Sequence, residues 1–167
     1  EVTYTLRRHQ DGTIIVLGDE ATELYTEQLE NTEPAGTLKG TELVGRTYTP
    51  LFDFFADRTD AFRVLAADFV DASDGTGVVH MAPGFGEDDQ TVCEANGIQI
   101  GQVVPVDDQG CFTEDVSDWA GLNVFEANPE IIRRLKEDGR LVRHDTYEHN
   151  YPHCWRTDTP IIYKAIS

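Results

Sequence analysis

The chain has 167 residues, 40% of them hydrophobic, with 31 acidic against 13 basic side chains and a formal net charge of −18. That length suits one domain, or one with a small annex, and the composition excludes a disordered chain. No apolar stretch approaches the ~20 residues that span a bilayer and no basic-then-apolar leader opens the chain, so a soluble protein with no membrane partner is expected. The charge counts against DNA or RNA as a partner, because affinity for phosphates comes largely from Lys and Arg.

In chain order, Val2–Arg7 and Thr13–Leu17 read as a β-hairpin closed through Gln10-Asp11-Gly12. Ala21, Leu24, Tyr25 and Leu29 have helical spacing, which predicts a short amphipathic helix over Asp19–Leu29. Residues 30–50 are dense in Gly, Thr and Pro, with short β pieces around Thr37–Leu38 and Leu43–Val44. The aromatic run Leu51–Phe55 suits a core plug. Phe62–Ala67 reads as a strand, Asp71–Gly77 as a turn and Val78–Met81 as a buried strand.

Glu87–Ala95 then reads as a helix stopped by Asn96-Gly97. Gln102–Val106 and Gly110–Thr113 suggest a second hairpin around Asp107-Asp108-Gln109-Gly110. Asn128-Pro129-Glu130 has the composition of a helix start, with the helix running through Ile131, Ile132 and Leu135 to Gly139. Leu141–Tyr147 reads as a strand. The chain opens without methionine on a strand-like run and closes on another, Ile161–Ser167, which suggests a piece of a longer protein. The sum is a mixed α+β domain over residues 1–167, with a barrel-like β core of hairpins and two or three peripheral helices.

Cys93, Cys111 and Cys154 are odd in number and form no CxxC pair, which argues for reduced thiols in a cytoplasmic protein. The chemistry concentrates in residues 75–89, GTGVVHMAPGFGEDD. Asp88 and Asp89 fall in a predicted first helical turn, where acids are stabilised by the helix dipole whether or not they also bind a ligand. His80 is a lone imidazole at a predicted strand end, suited either to packing or to orienting a substrate. Gly75-Thr76-Gly77 and Gly84-Phe85-Gly86 match neither GxGxxG nor a P-loop, so a nucleotide fold is not expected. His149, His153 and Cys154 do not complete a four-ligand zinc set by spacing, although a metal-dependent hydrolase built on them remains a rival reading.

The stretch Gly75 to Asp89 closely resembles the signature of the editing domain inserted into isoleucyl-tRNA synthetases. Related inserts of the valyl and leucyl enzymes typically lack its Val-His and Gly-x-Asp-Asp combination. Two further stretches agree: Leu43-Val44-Gly45-Arg46-Thr47-Tyr48-Thr49-Pro50-Leu51-Phe52, similar to the family's G-x-x-Y-x-P-L-F segment, and Tyr151–Pro160, similar to the stretch that returns to the catalytic body. The resemblance implies hydrolysis of valyl esters on the 3′ end of isoleucine tRNA, and of valyl-adenylate, with no metal and no cofactor in this domain. It implies Asp89 as partner of the substrate ammonium and His80 as the residue near the substrate side chain. It also implies that Gly75, Thr76, Gly77, Pro83, Gly84, Phe85, Gly86 and, more weakly, Asp88 bind the substrate. Phe85 stands where many bacterial members carry histidine. The family's threonine-rich strand would precede the first hairpin, so weak or absent activity is expected of this chain alone. Its partners would be the tRNA end and the rest of the parent synthetase. Two alternatives stay open: a non-catalytic insert that guides the tRNA end, and an editing domain of a valyl or leucyl enzyme.

Overall fold

The predicted first hairpin forms as Asp-Gly chemistry requires. In the computed structural model, which describes residues 1–71, 73, 75–99, 103–146, 148 and 150–165, β1 (Thr3–His9) pairs antiparallel with β2 (Ile14–Gly18). The register runs from Tyr4 opposite Gly18 to Arg8 opposite Ile14. Gly12, at φ +90, supplies the left-handed turn that a side chain resists. On the other side of β1 lies β3 (Thr32–Lys39), also antiparallel, giving the sheet order β2-β1-β3. β3 is longer than the Thr37–Leu38 piece expected. Pro34 lacks a donor, but an edge strand tolerates it, and a bulge opposite Leu6 and Arg7 absorbs the irregularity.

The residues fall into two compact units. The first comprises Glu1–Tyr48 and Ala61–Met81, the second Thr49–Asp60 and Ala82–Ser167. In the first, Leu17, Ala21 and Leu29 form a small core against which Ile15 and Tyr25 pack. The helix expected over Asp19–Leu29 is instead a 3-10 turn, Asp19–Glu23, followed by the single-turn α1 (Thr26–Leu29). Its apolar spacing still serves burial, except at Leu24, which is exposed. The β piece expected at Leu43–Val44 is not there, because the one-turn α2 (Gly40–Leu43) occupies the place, with Glu42 bonded back to the Lys39 N–H.

Phe62–Ala67 is not a strand either. Only Arg63 bridges to Thr47, beside the Val64 N–H to Arg46 C=O bond. The buried strand expected over Val78–Met81 is likewise corrected. Val78 and Val79 are 53% and 51% exposed, and the segment joins no strand. An apolar run shows what could be buried but supplies no sheet edge to bury it against.

The second unit centres on Val116, Trp119 and Ala127, joined by Phe52, Phe54, Phe55, Phe112 and Ile131. The expected aromatic plug is present, with Phe52 edge-on to Trp119 at 5.1 Å between ring centroids. Leu51 is left exposed. α3 (Glu87–Ala95) matches its prediction, and Gly97, at φ +77, ends it. α4 (Val124–Glu137) begins earlier than Asn128. Asn123 is the cap, its side chain accepting from the Phe125 N–H, and Pro129 sits inside the helix. The second hairpin reduces to a tight turn with one bridge, Val106 to Phe112, and Gln102 lies outside the described residues. Leu141–Thr146 and Ile161–Ala165 form no strands, and Tyr147, Ile166 and Ser167 lie outside the described residues.

The barrel-like core is therefore corrected to an α+β arrangement with an open three-stranded sheet among the described residues. Residues 40–61 separate β3 from the run Phe62–Ala67, and Val78–Met81 lies further still, so local pattern alone could not pair them.

Candidate functional site

The loop before α3 is organised by short-range chemistry. Ala82 to Phe85 is a β-turn closed by the Phe85 N–H to Ala82 C=O bond, 2.8 Å, with Pro83 at the second position where its fixed φ fits. Gly84 is buried, and a Cβ there would lie 3.2 Å from the Val103 carbonyl oxygen and 3.3 Å from Val104 Cγ2. Gly86 then caps α3 in extended conformation, φ −146, with no side-chain cap of its own.

Glu87, Asp88 and Asp89 fill the first helical turn. Their side chains part company at once. Glu87 and Asp88 are exposed, whereas Asp89 is half-buried and turns back over the loop. Asp89 Oδ2 accepts from the Ala82 N–H at 2.8 Å. That fold-back needs a glycine beneath it, since a Cβ on Gly86 would stand 3.2 Å from both Asp89 Cγ and Oδ2. One carboxylate oxygen is thus used to fix the group. The other, Oδ1, takes no hydrogen bond from the described residues and is free to receive a cationic donor.

The earlier half of the motif belongs to the first unit and has a different setting. The Gly18 N–H donates to Thr76 C=O at 2.7 Å, and the Tyr4 hydroxyl donates to Gly77 C=O at 2.6 Å. Gly77 is buried at φ +72, with Gly18 Cα 3.3 Å from where its Cβ would be. Gly75 is also left-handed, at φ +69. The Thr76 hydroxyl is turned to its own loop, bonding to Val78. His80 follows Val78 and Val79 with its imidazole exposed.

The His/Cys region has local structure instead of a ligand set. Cys154 and Asp158 close a tight turn, with Cys154 N–H to Thr159 C=O and Asp158 N–H to Cys154 C=O, both 2.8 Å. The Thr157 hydroxyl, then the N–H groups of Arg156 and Thr157, hold the Cys154 thiol below its ordinary value. His153 Nδ1 is spent on the Tyr151 carbonyl at 2.8 Å. His149 lies outside the described residues, and among the described ones no three His, Cys, Asp or Glu side chains converge. None of the three cysteines is in a disulfide.

Two features escaped sequence reading. The Ala82 N–H is a backbone group with no residue signature, although the Pro83-Gly84 turn just before α3 hints at it. The contacts of Lys164, described below, carry no motif at all.

No protein-family model matches the chain. Curated relatives do. An isoleucine–tRNA ligase of Rickettsia bellii is 48% identical over 167 residues, 99% of this chain and 15% of that protein. The ligase of Rickettsia felis is 56% identical over 129 residues, 77% of this chain and 12% of that protein. That of Rickettsia prowazekii is 52% identical over 146 residues, 87% and 13% respectively. These matches place the chain among the aminoacyl-tRNA synthetases. Within them it belongs to the isoleucine–tRNA ligases, and it spans about 15% of the length of the relatives it matches throughout. No helix among the described residues is long and apolar enough to cross a membrane.

Proposed function

We propose that this chain is the proofreading segment of a cytoplasmic isoleucine–tRNA ligase and hydrolyses valyl esters from the 3′ end of isoleucine tRNA, and valyl-adenylate with them. The observation that carries the reading is the posture of Asp89, tied through Oδ2 to the Ala82 N–H, with no hydrogen bond to Oδ1 from the described residues. The membership in the ligase family supplies the context. The need for such a step is energetic. One methylene in an apolar pocket discriminates by only about 1–3 kcal/mol, the isoleucine enzyme being itself the familiar instance, so valine enters a site built for isoleucine.

An aminoacyl ester carries a free α-ammonium next to its carbonyl. Asp89 Oδ1 would hold that ammonium by a charge-assisted bond and so fix the carbonyl for attack. A water oxygen adds to the carbonyl carbon, the bond to the ribose oxygen breaks, and that oxygen takes the proton. Valine and a free tRNA end result. A neighbouring ribose hydroxyl assists the water. The family resemblance gives His80 the part of crowding out the extra methylene of isoleucine. The same resemblance assigns Gly75, Thr76 and Gly77, and Pro83, Gly84, Phe85 and Gly86, to substrate binding, while Asp88 serves the helix. No metal or cofactor takes part.

The charge of the chain shapes how tRNA is held. Arg63 and Arg133 are successive cations in the sequence, so the whole stretch holding the motif has no Lys or Arg to grip phosphates. The tRNA body is then held by the rest of the synthetase, and only its aminoacylated end meets this segment. Asp89→Ala in the full-length ligase tests the reading. Deacylation of valyl-tRNA should fall about 100-fold with aminoacylation intact. Unchanged deacylation would instead make the segment a non-catalytic guide for the tRNA end. Comparing valyl- and threonyl-tRNA as substrates separates the isoleucine assignment from a valine one.

A further inference from the structure

We propose that Lys164 is a positioning residue for Asp89, acting through the strap Ile161–Ala165 that it fastens against the Ala82–Phe85 turn; this rests on the role given to Asp89 above. The strap forms no strand, and among the described residues it is held at three places. Ile161 N–H donates to Pro152 C=O at 3.0 Å, and Ala165 N–H donates to Gly84 C=O at 2.8 Å. Between them, Lys164 Nζ bonds Asp108 Oδ1 at 2.6 Å and the Val106 carbonyl at 3.3 Å. Ile162 lies over the same Asp107–Gly110 turn, with its Cδ1 only 2.8 Å from where a Cβ on Gly110 would stand. A strap with so little ladder has its register chosen by these side-chain ties.

The consequence reaches Asp89 through backbone. Lys164 sets the height of Ala165, Ala165 holds the Gly84 carbonyl, and Gly84 is the third residue of the turn whose first amide, Ala82 N–H, binds Asp89 Oδ2. Gly84 is closely packed, a Cβ there standing 3.2 Å from the Val103 carbonyl oxygen and 3.3 Å from Val104 Cγ2, so a shift of the strap has to be taken up by the turn. The lysine is suited to this task. Its side chain is 22% exposed, lying along the chain it fastens, whereas that of Asp108 is 95% exposed. A pair with one member in open water adds little to overall stability. What it fixes is where the strap sits.

Lys164→Gln and Lys164→Arg in the full chain test this, read by amide hydrogen exchange, with deacylation of valyl-tRNA followed in the full-length ligase. Lys164→Gln should speed exchange at Ala82 and Ala165 about tenfold while the α4 amides keep their protection. Deacylation should fall about fivefold with aminoacylation unchanged, and Lys164→Arg should restore both. Exchange at Ala82 equal to the parent chain overturns the proposal, as does equal acceleration throughout α4, which would make Lys164 a general stabiliser. Asp108→Asn, which alters only an exposed partner, gives the same reading in milder form should Lys164→Gln fold poorly. If Asp89→Ala leaves deacylation intact, the proofreading role fails, yet exchange at Ala82 still judges the Lys164 tie.

Discussion

Gly77 and Gly86 belong to one motif of the sequence, and at both a side chain would be crowded, but by different neighbours. A Cβ on Gly77 meets Gly18 Cα at 3.3 Å and the Tyr4 ring at 3.4 Å, parts of the sheet, and the residue is left-handed at φ +72. A Cβ on Gly86 has the Asp89 side chain as its nearest neighbour, at 3.2 Å, and its φ of −146 is open to any residue. The first glycine lets a loop lie against a sheet. The second lets a functional group fold back onto its own loop. Glycine in a motif therefore has no single meaning, and what its missing Cβ would touch decides between scaffold and site.

The largest effect expected from this contrast is on Gly77. Gly77→Val should destabilise the chain by about 3 kcal/mol, adding left-handed strain to a backbone collision. A urea titration reads it as a lowered midpoint. Gly86→Ala should behave oppositely, losing about 1 kcal/mol or less of stability while deacylation in the full-length ligase drops about tenfold as the carboxylate is pushed off the Ala82 N–H. If Gly86→Ala unfolds the chain as Gly77→Val does, or leaves deacylation untouched, the distinction between the two glycines is broken.

The same contrast explains which parts were legible beforehand. The Asp11-Gly12 hairpin and the Asn96-Gly97 helix stop are local signals, complete within a few residues, and both are where they were expected. Strands that need a distant partner were not legible. Val78 and Val79 have the composition of a buried strand but remain outside the sheet, and β3 extends through Pro34 because an edge forgives it. The start of α4 was misplaced because Asn128-Pro129 imitates a cap, while the true cap, Asn123, lacks the flanking proline. At the site, Asp89 was singled out by family resemblance alone. Its physical distinction from Asp88 is a bond to a backbone amide, which no residue type announces.

Tyr4 sharpens the scaffold half of the comparison by a smaller amount. Tyr4→Phe removes the bond to Gly77 C=O and should cost about 1 kcal/mol near neutral pH. Burial pushes the Tyr4 phenol above its ordinary 10.0, so the folded chain keeps a proton that the unfolded chain releases first. The stability it contributes is full below that ordinary value and is lost as pH rises through the raised one. Denaturation compared at about pH 7 and about pH 11 should show the parent chain losing more than Tyr4→Phe does. An equal loss in both would mean the phenol is not held by the fold.

The smallest effect on stability separates the two neighbouring carboxylates. Asp88 is exposed in the first turn of α3, so Asp88→Asn forfeits only its interaction with the helix dipole, about 0.5 kcal/mol and less in high salt. Asp89→Asn keeps the shape and an oxygen for the Ala82 N–H but removes the charge. The asparagine should therefore fold as the aspartate does and lose the ammonium partner, with deacylation down about 100-fold against a twofold change or less for Asp88→Asn. Comparable losses in the two would show that the first-turn charge as a whole, and not the fixed Asp89 oxygen, receives the substrate.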